Sequence, residues 1–289
     1  MNSVVVKNKR NNNIAMVCLC LAGFAVVALL TAFLGYIFYK GLPVLNWNFI
    51  FGMSKDIEAG GGVGPQLFNT FYILILSMLV SVPIAVGAAI YLSEYAKDNK
   101  LTRLIRICIE SLASVPSIVL GLFGMIIFIN FLNFGFSIIG GALALVLLNL
   151  PLLVRVTEEA LRTVPETYRE ASLALGATKW QTIRKVVLPS AMPGIITGMM
   201  LTSGRAVGES AILIFTAGTT VSRHIADFDL FASGETLAVH MWYVLSAGLV
   251  PDRLDIANGS AALLVLIVLV MNVLFLALMK FSRRNAGLD

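Results

Sequence analysis

Six stretches of the chain are apolar for roughly the length that crosses a hydrocarbon core of about 30 Å, and polar residues come in clusters between them. The runs are Ile14 to Tyr39, Leu67 to Leu92, Val115 to Phe134, Ile138 to Val156, Ala191 to Ala217 and Ala261 to Met279. In lipid the backbone must satisfy its own hydrogen bonds, so each run predicts a membrane-spanning α-helix. A seventh run, Leu237 to Val250, is short and carries His240; it is expected to be an interfacial or re-entrant piece. Pro83, Pro116, Pro151 and Pro193 fall inside or at the ends of runs, where they kink helices if neighbours re-satisfy the freed backbone. The expected fold class is an all-α membrane protein with six transmembrane helices.

The sign of the polar clusters then orients the chain, because Lys and Arg collect on the cytoplasmic side. Under an even-span arrangement one side holds Lys7, Lys9, Arg10, Lys97, Lys100, Arg103, Arg106, Arg155, Arg162, Arg169, Lys179, Arg184, Lys185, Lys280, Arg283 and Arg284. The other holds Lys40, Lys55, Arg223 and Arg253, with Asp56, Glu58, Asp227, Asp229, Glu235, Asp252 and Asp255. Both termini and the loop over residues 157–189 are therefore expected in the cytoplasm, on a multi-pass protein of a bacterial plasma (inner) membrane. The net charge of +5 reports this topology and calls for no nucleic-acid partner. Composition agrees, since 58% apolar and 13% charged residues describe a bilayer-embedded chain. The basic start and the absence of a small-residue cleavage pattern favour a retained first span, and Asn11 to Asn13 are expected in a short disordered tail. Cys18, Cys20 and Cys108 are too few and too poorly spaced for a disulfide framework or a zinc site, and read as small lipid- or core-facing residues.

Within this membrane-like sequence, Arg169 to Trp180, followed by Val186-Val187-Leu188-Pro189, is a polar, cation-rich island. Pro165 suits the first turn of a helix, Glu166 and Glu170 lie near its positive end, and Gly176 can take the left-handed closing position. Thr178 and Gln181 are spaced as the capping box of a second helix. Trp180, Ile183, Val186 and Val187 then recur at helical spacing, and Pro189 is expected to end that helix before the next span. The island predicts two short helices at a fixed turn. The match Glu170-Ala171-Ser172, Gly176 and Leu188-Pro189 resembles the cytoplasmic EAA loop of ABC-importer permeases, with Ser172 in place of the second Ala. That resemblance implies a type I (MetI-like) permease fold whose coupling helices dock on an ATPase.

Arg205 and Glu209 are the ionisable residues deep in an expected span, within Ser203-Gly204-Arg205-Ala206-Val207-Gly208-Glu209-Ser210. Four residues apart, they are expected to share one helix face, with Gly204 and Gly208 allowing close approach. A lone Arg at that depth costs about 2.5–3.5 kcal/mol on insertion scales, so it should face the bundle interior or a wet cavity. Two readings stand side by side. In one, Arg205 offers a guanidinium fork to a tetrahedral oxyanion in transit and Glu209 moderates its attraction. In the other, the two form a structural ion pair that pins helices together.

The phrases Ala88-Ala89-Ile90-Tyr91-Leu92-Ser93-Glu94-Tyr95-Ala96, Ala174 to Thr182 and Gly204 to Ala211 narrow the resemblance to permease subunits of the phosphate-specific (Pst) ABC importers, nearer to the PstA type than to its sister PstC. The likeness covers about Gly61 to Met279. It implies that residues 1–66 hold the tail, first span and outer loop, and that residues 67–284 form the importer transmembrane domain. It also implies a heterodimer with a PstC-like permease, a PstB-like ATPase dimer and a PstS-like phosphate-binding protein. The substrate path would use Arg205 and Glu209, and the ATPase-docking loop Glu170, Ala171, Ser172, Gly176, Leu188 and Pro189. No Walker motif, nucleophile–base set or carboxylate cluster occurs, so no catalytic residue, metal or cofactor is expected in this chain; ATP and Mg would be bound by the ATPase partner. Permeases for molybdate, sulfate or phosphonate stay open as alternatives, as does an ion-coupled carrier working through Arg205, Glu209 and His240.

Smaller features receive modest readings. Gly60 to Gly64 lacks the Lys-Ser/Thr of a phosphate loop and is expected to be a flexible lead-in. His224 and His240 are expected to be isolated, and Glu110 to pair with Arg103 or Arg106.

Overall fold

The computed structural model describes residues 2–55, 58–222 and 224–285, with side chains from Asn12 to Phe281 apart from those gaps. Asp56 and Arg223, and the side chains of Lys7, Lys9, Arg10, Asn11, Arg283 and Arg284, lie outside the described residues. The described chain is all-helical: α1 Asn2–Gly41, α2 Trp47–Phe51, α3 Gly64–Ile90, α4 Lys100–Ala113, α5 Ser117–Gly124, α6 Ile138–Arg162, α7 Glu166–Ala174, α8 Lys179–Thr182, α9 Leu188–Val207, α10 Ala211–Thr216, α11 Leu237–Ser246 and α12 Arg253–Asn285. Among these residues, five helices are long and apolar enough to cross a membrane: Asn12–Val44, Gly64–Tyr95, Ile138–Arg162, Lys179–Val207 and Arg253–Phe281. α11 is apolar but too short, as its sequence predicts.

The third expected span takes a different form. α4 and the helix Ser117–Phe131 meet at 97°, and only together do they make a sixth span. The corner has a local cause, since Pro116 forces Val115 out of helical backbone and stands as the residue before α5. α4 is amphipathic: Ile105 and Ile109 pack inward, whereas Leu101, Leu104 and Ile107 stay exposed. Arg106 donates to Glu158 of α6 at 3.0 Å, so the expected pairing of Glu110 with Arg103 or Arg106 is replaced by a tie to the neighbouring helix. Glu158 also accepts from Arg162, at 2.9 Å.

α6 is the most buried span and forms the centre of the bundle, packed by α3 on one side and α9 and α10 on the other. Small residues allow that closeness. A Cβ on Gly194 of α9 would lie 2.5 Å from Ala160 Cβ, and one on Gly141 would lie 2.9 Å from Ala217 Cβ. Hydroxyls within the bundle bond to their own helix, as Ser81 does to the Ser77 carbonyl and Thr202 to the Gly198 carbonyl. α1 is exposed along its apolar length and touches the rest chiefly where its end meets α12. Its helix runs through Asn12 and Asn13, so the tail expected to be disordered is instead continuous with the first span.

The two ends of the bundle differ in charge as the sequence pattern requires. The end of α3, α4, the end of α6 and the α7–α8 unit meet through ion pairs of Arg106 and Arg169. At the opposite end, Gly60 N–H donates to Asp252 Oδ2 at 2.8 Å. The glycine run there is packed against α2 and does not form a flexible lead-in. Gly62 N–H donates to the Met53 carbonyl and Gly64 N–H to the Gly52 carbonyl, and a Cβ on Gly62 would lie 2.6 Å from the Gly52 backbone.

Candidate functional site

The island after α6 folds into the expected two short helices, and its joints can be followed bond by bond. α7 ends in a Schellman closure: Gly176 N–H donates to the Leu173 carbonyl at 2.9 Å and Ala177 N–H to the Ser172 carbonyl at 3.2 Å. Gly176 has φ +82°, and a Cβ there would meet nothing within 4 Å. Glycine is required for its backbone angle, not for space. The turn then enters α8 through the capping box, with Gln181 N–H donating to Thr178 Oγ1 and Thr178 N–H to Gln181 Oε1. Pro165 stands one residue before α7, as its cap. Ser172 Oγ and Thr182 Oγ1 lie 2.9 Å apart and join the two helices.

Glu170, Ala171 and Gly176 face outward, while Ser172, Leu188 and Pro189 are half-buried. The knob also exposes apolar side chains at a polar end of the molecule: Leu175 is 90% exposed, and Tyr168, Leu173 and Trp180 are exposed beside it. Ile183 and Val187 turn the other way and are fully buried. Pro189 does not end the second helix. The chain passes from α8 through a π-helical turn, Ile183–Val187, into α9, making one helix over Lys179–Val207. A widened turn accommodates a ring that lacks an N–H and would otherwise strike the carbonyl one turn back.

The expected Arg205–Glu209 face is not formed. Helix α9 stops at Val207 with Gly208 as its cap, so the span expected to reach Ala217 ends ten residues earlier and α10 follows as a separate helix. Arg205 sits in the last turn of α9, exposed, and makes no ion pair or hydrogen bond through its side chain among the described residues. It lies 20 residues beyond Lys185, or about 30 Å along a helix at about 1.5 Å per residue. Glu209 is half-buried in the break, where its Oε1 accepts from Ile212 N–H in the first turn of α10 at 3.3 Å. A Cβ on Gly204 would lie 3.9 Å from Val268 Cγ1 and one on Gly208 3.9 Å from the Arg205 carbonyl oxygen, so neither glycine is required for space within this chain. The structural ion pair is therefore absent, and what remains is a free guanidinium beside a helix break.

Sequence reasoning passed over two polar clusters. His240 is buried: its Nδ1 lies 2.7 Å from Glu235 Oε1, and Gln66 Nε2 donates to the same oxygen at 2.8 Å. Asn69 Nδ2 donates to the Glu235 carbonyl at 3.1 Å, so the start of α3 and the start of α11 are tied together away from the knob. His240 is thus paired where isolation was expected; His224 is exposed. The second cluster joins Glu94, at the end of α3, to Arg169 of α7. Its signal was present in the phrase Tyr91 to Ala96, as a carboxylate beside an apolar span. No group of three or more potential metal ligands occurs among the described residues.

Residues 81–286 match the family model described as binding-protein-dependent transport system inner membrane component. The chain is 49% identical over 257 residues to a probable ABC transporter permease, YqgI, of Bacillus subtilis, covering 86% of this chain and 87% of that protein. It is 36% identical over 201 residues to a phosphate transport system permease protein, PstA 2, of Mycobacterium bovis, covering 70% of this chain and 65% of that protein. A bacterial ABC transporter importing the acidic polysaccharide alginate shares the fold at a TM-score of 0.66, with 14% identity over 96% of each chain. The MetNI methionine ABC transporter, in an inward-facing conformation, does so at 0.60 with 22% identity, covering 76% of this chain and 94% of that one. These likenesses set aside the ion-coupled carrier and leave ATP hydrolysis to a separate subunit. The α6-centred bundle, the knob and the match over most of its length place the chain in the family of binding-protein-dependent transport system inner membrane components, as a multi-pass permease subunit of a type I ABC importer.

Proposed function

We propose that this chain is one permease subunit of an ATP-driven importer of inorganic phosphate, working with a PstC-like permease, a PstB-like ATPase dimer and a PstS-like binding protein. The observation that carries the substrate is the likeness to phosphate transport system permeases, at 36–41% identity over 174 residues or more. The free guanidinium of Arg205 fits an anion in transit. A cation without an acceptor among the described residues is ready to take one from a ligand or a partner. Glu209, held half-buried in the break by Ile212 N–H, places negative charge nearby and keeps anion binding weak enough for release.

The knob is the docking element for the ATPase. Its bonds fix Glu170, Ala171, Ser172 and Gly176 at the tip, and Leu188 and Pro189 carry its motion without interruption into α9. Both termini and the knob face the cytoplasm in this reading, following the concentration of Lys and Arg at that end. The residues over 67–284 form the importer domain, and ATP and Mg belong to the partner ATPase.

The test is uptake of labelled phosphate into vesicles holding the four components, with and without ATP, against excess sulfate or molybdate. ATP-dependent uptake that neither competitor displaces supports phosphate. Displacement by one of them moves the assignment to that oxyanion.

A further inference from the structure

The knob is bonded to a second span at one charged joint. Arg169 of α7 donates from Nη2 to Glu94 Oε1 at 2.8 Å and to the Leu161 carbonyl at 2.9 Å, from Nε to Glu94 Oε1 at 3.2 Å, and from Nη1 to the Val164 carbonyl at 2.8 Å. Glu166 also approaches Nη1, at 3.4 Å. Both members of the pair are nearly enclosed, with side chains 8% exposed for Glu94 and 13% for Arg169. Lys179, the first residue of α8, donates to the Glu94 carbonyl and lies 4.8 Å from the centroid of the Tyr95 ring. That carbonyl is available because α3 closes in a π-helical turn, Tyr91–Tyr95, that leaves its last carbonyls without helical partners.

The joint stands out against what else holds the knob. α7 has no buried side chain, so apolar packing does little to fix its direction. Covalently the knob is joined to α6, through residues 163–165, and to α9, but not to α3. A guanidinium that grips a carboxylate of α3 and two carbonyls from the end of α6 makes a planar, multidentate clamp, which resists rotation better than a single ammonium contact would. α3 and α9 also line a common apolar cavity of about 390 Å³, through Leu74, Met78 and Val82 on one side and Met199 and Ser203 on the other. Moving one of these helices without the other would reshape that cavity.

We propose that Glu94 and Arg169 are positioning residues for energy coupling: a latch that makes α3 move with the knob, so that one ATPase stroke drives α3 and α9 together. This rests on the reading of the knob as the ATPase dock. Its consequence is a specific failure, in which ATP is hydrolysed without delivery.

The test uses the full four-component complex in vesicles, with labelled inorganic phosphate as the probe, and measures phosphate imported per ATP hydrolysed alongside ATPase retained on purification. Glu94→Gln is expected to retain the ATPase at the wild-type level and to lower the ratio by about tenfold, within the usual range of coupling between sites. Glu94→Asp, which keeps the charge for Arg169, is expected to recover most of the ratio. An unchanged ratio in Glu94→Gln would overturn the latch. Loss of the ATPase from Glu94→Gln would overturn it too, by making the pair a prop of the docking face. Leu175→Asp, at the exposed tip, tests the dock separately. ATPase retained there would refute the docking reading, whatever Glu94→Gln does.

Discussion

The knob and the break after α9 are both polar interruptions of an apolar chain, yet they are finished to different degrees. In the knob, Gly176, Thr178, Gln181, Ser172 and Arg169 all find partners within the chain, and what it leaves outward is a set of apolar side chains. At the break, Arg205 ends a helix without an acceptor among the described residues, and Glu209 accepts instead from Ile212 N–H of α10. A segment that satisfies itself is shaped in advance for a protein surface. A charge left open at the far end of a span is, in the proposed function, completed by the partner permease or the transported anion. The difference teaches that the shape of the knob is set within this subunit, whereas the charge at the break is not balanced within the described residues.

The largest effect expected breaks the comparison at its open end. Arg205→Gln should lower phosphate uptake about a hundredfold, the worth of two charge-assisted hydrogen bonds at about 1.5 kcal/mol each, with the purified complex unchanged in composition. Gly176→Val attacks the closed end, because a β-branched residue at φ +82° is strained by about 1–2 kcal/mol. Uptake and ATPase retention should both fall while the isolated permease pair still purifies. Thr178→Ala removes one arm of the capping box and should cost about 1 kcal/mol, read as a lowered melting temperature with modest loss of ATPase affinity. Glu209→Ala should be smallest in stability, about 0.5 kcal/mol, since it gives up one long hydrogen bond. A double-mutant cycle of Glu209→Ala with Arg205→Gln should be additive in stability within about 0.5 kcal/mol, whereas a structural ion pair would couple them.

What was legible in the sequence follows the range of the interaction that fixes it. Gly176, Thr178 and Gln181 act over three or four residues, so spacing alone located the turn and the capping box. The apolar runs located the spans because the bilayer sets a length. Direction was invisible to the same count. Val115 to Phe134 reads as a whole span although its helix, Ser117–Phe131, reaches spanning length only together with α4, which meets it at 97° beside Pro116, and Ala191 to Ala217 reads as one although it breaks at Gly208. Apolar residues resume directly after the second corner, and only Pro116 and the Gly208-Glu209-Ser210 triplet marked the two. Pro189 misled in the opposite sense, since a π-helical turn absorbs it and carries the helix through. The ties of Gln66 to Glu235 and of Arg169 to Glu94 join residues 169 and 75 positions apart, which no local pattern encodes.

The division of labour between the two regions is tested most directly in one complex of the four components, by measuring ATP-dependent uptake of labelled phosphate and ATPase retention side by side in Arg205→Gln and Gly176→Val. The account predicts that Arg205→Gln loses uptake and keeps its ATPase, and that Gly176→Val loses both. Uptake at the wild-type rate in Arg205→Gln, or full ATPase retention in Gly176→Val, would contradict it.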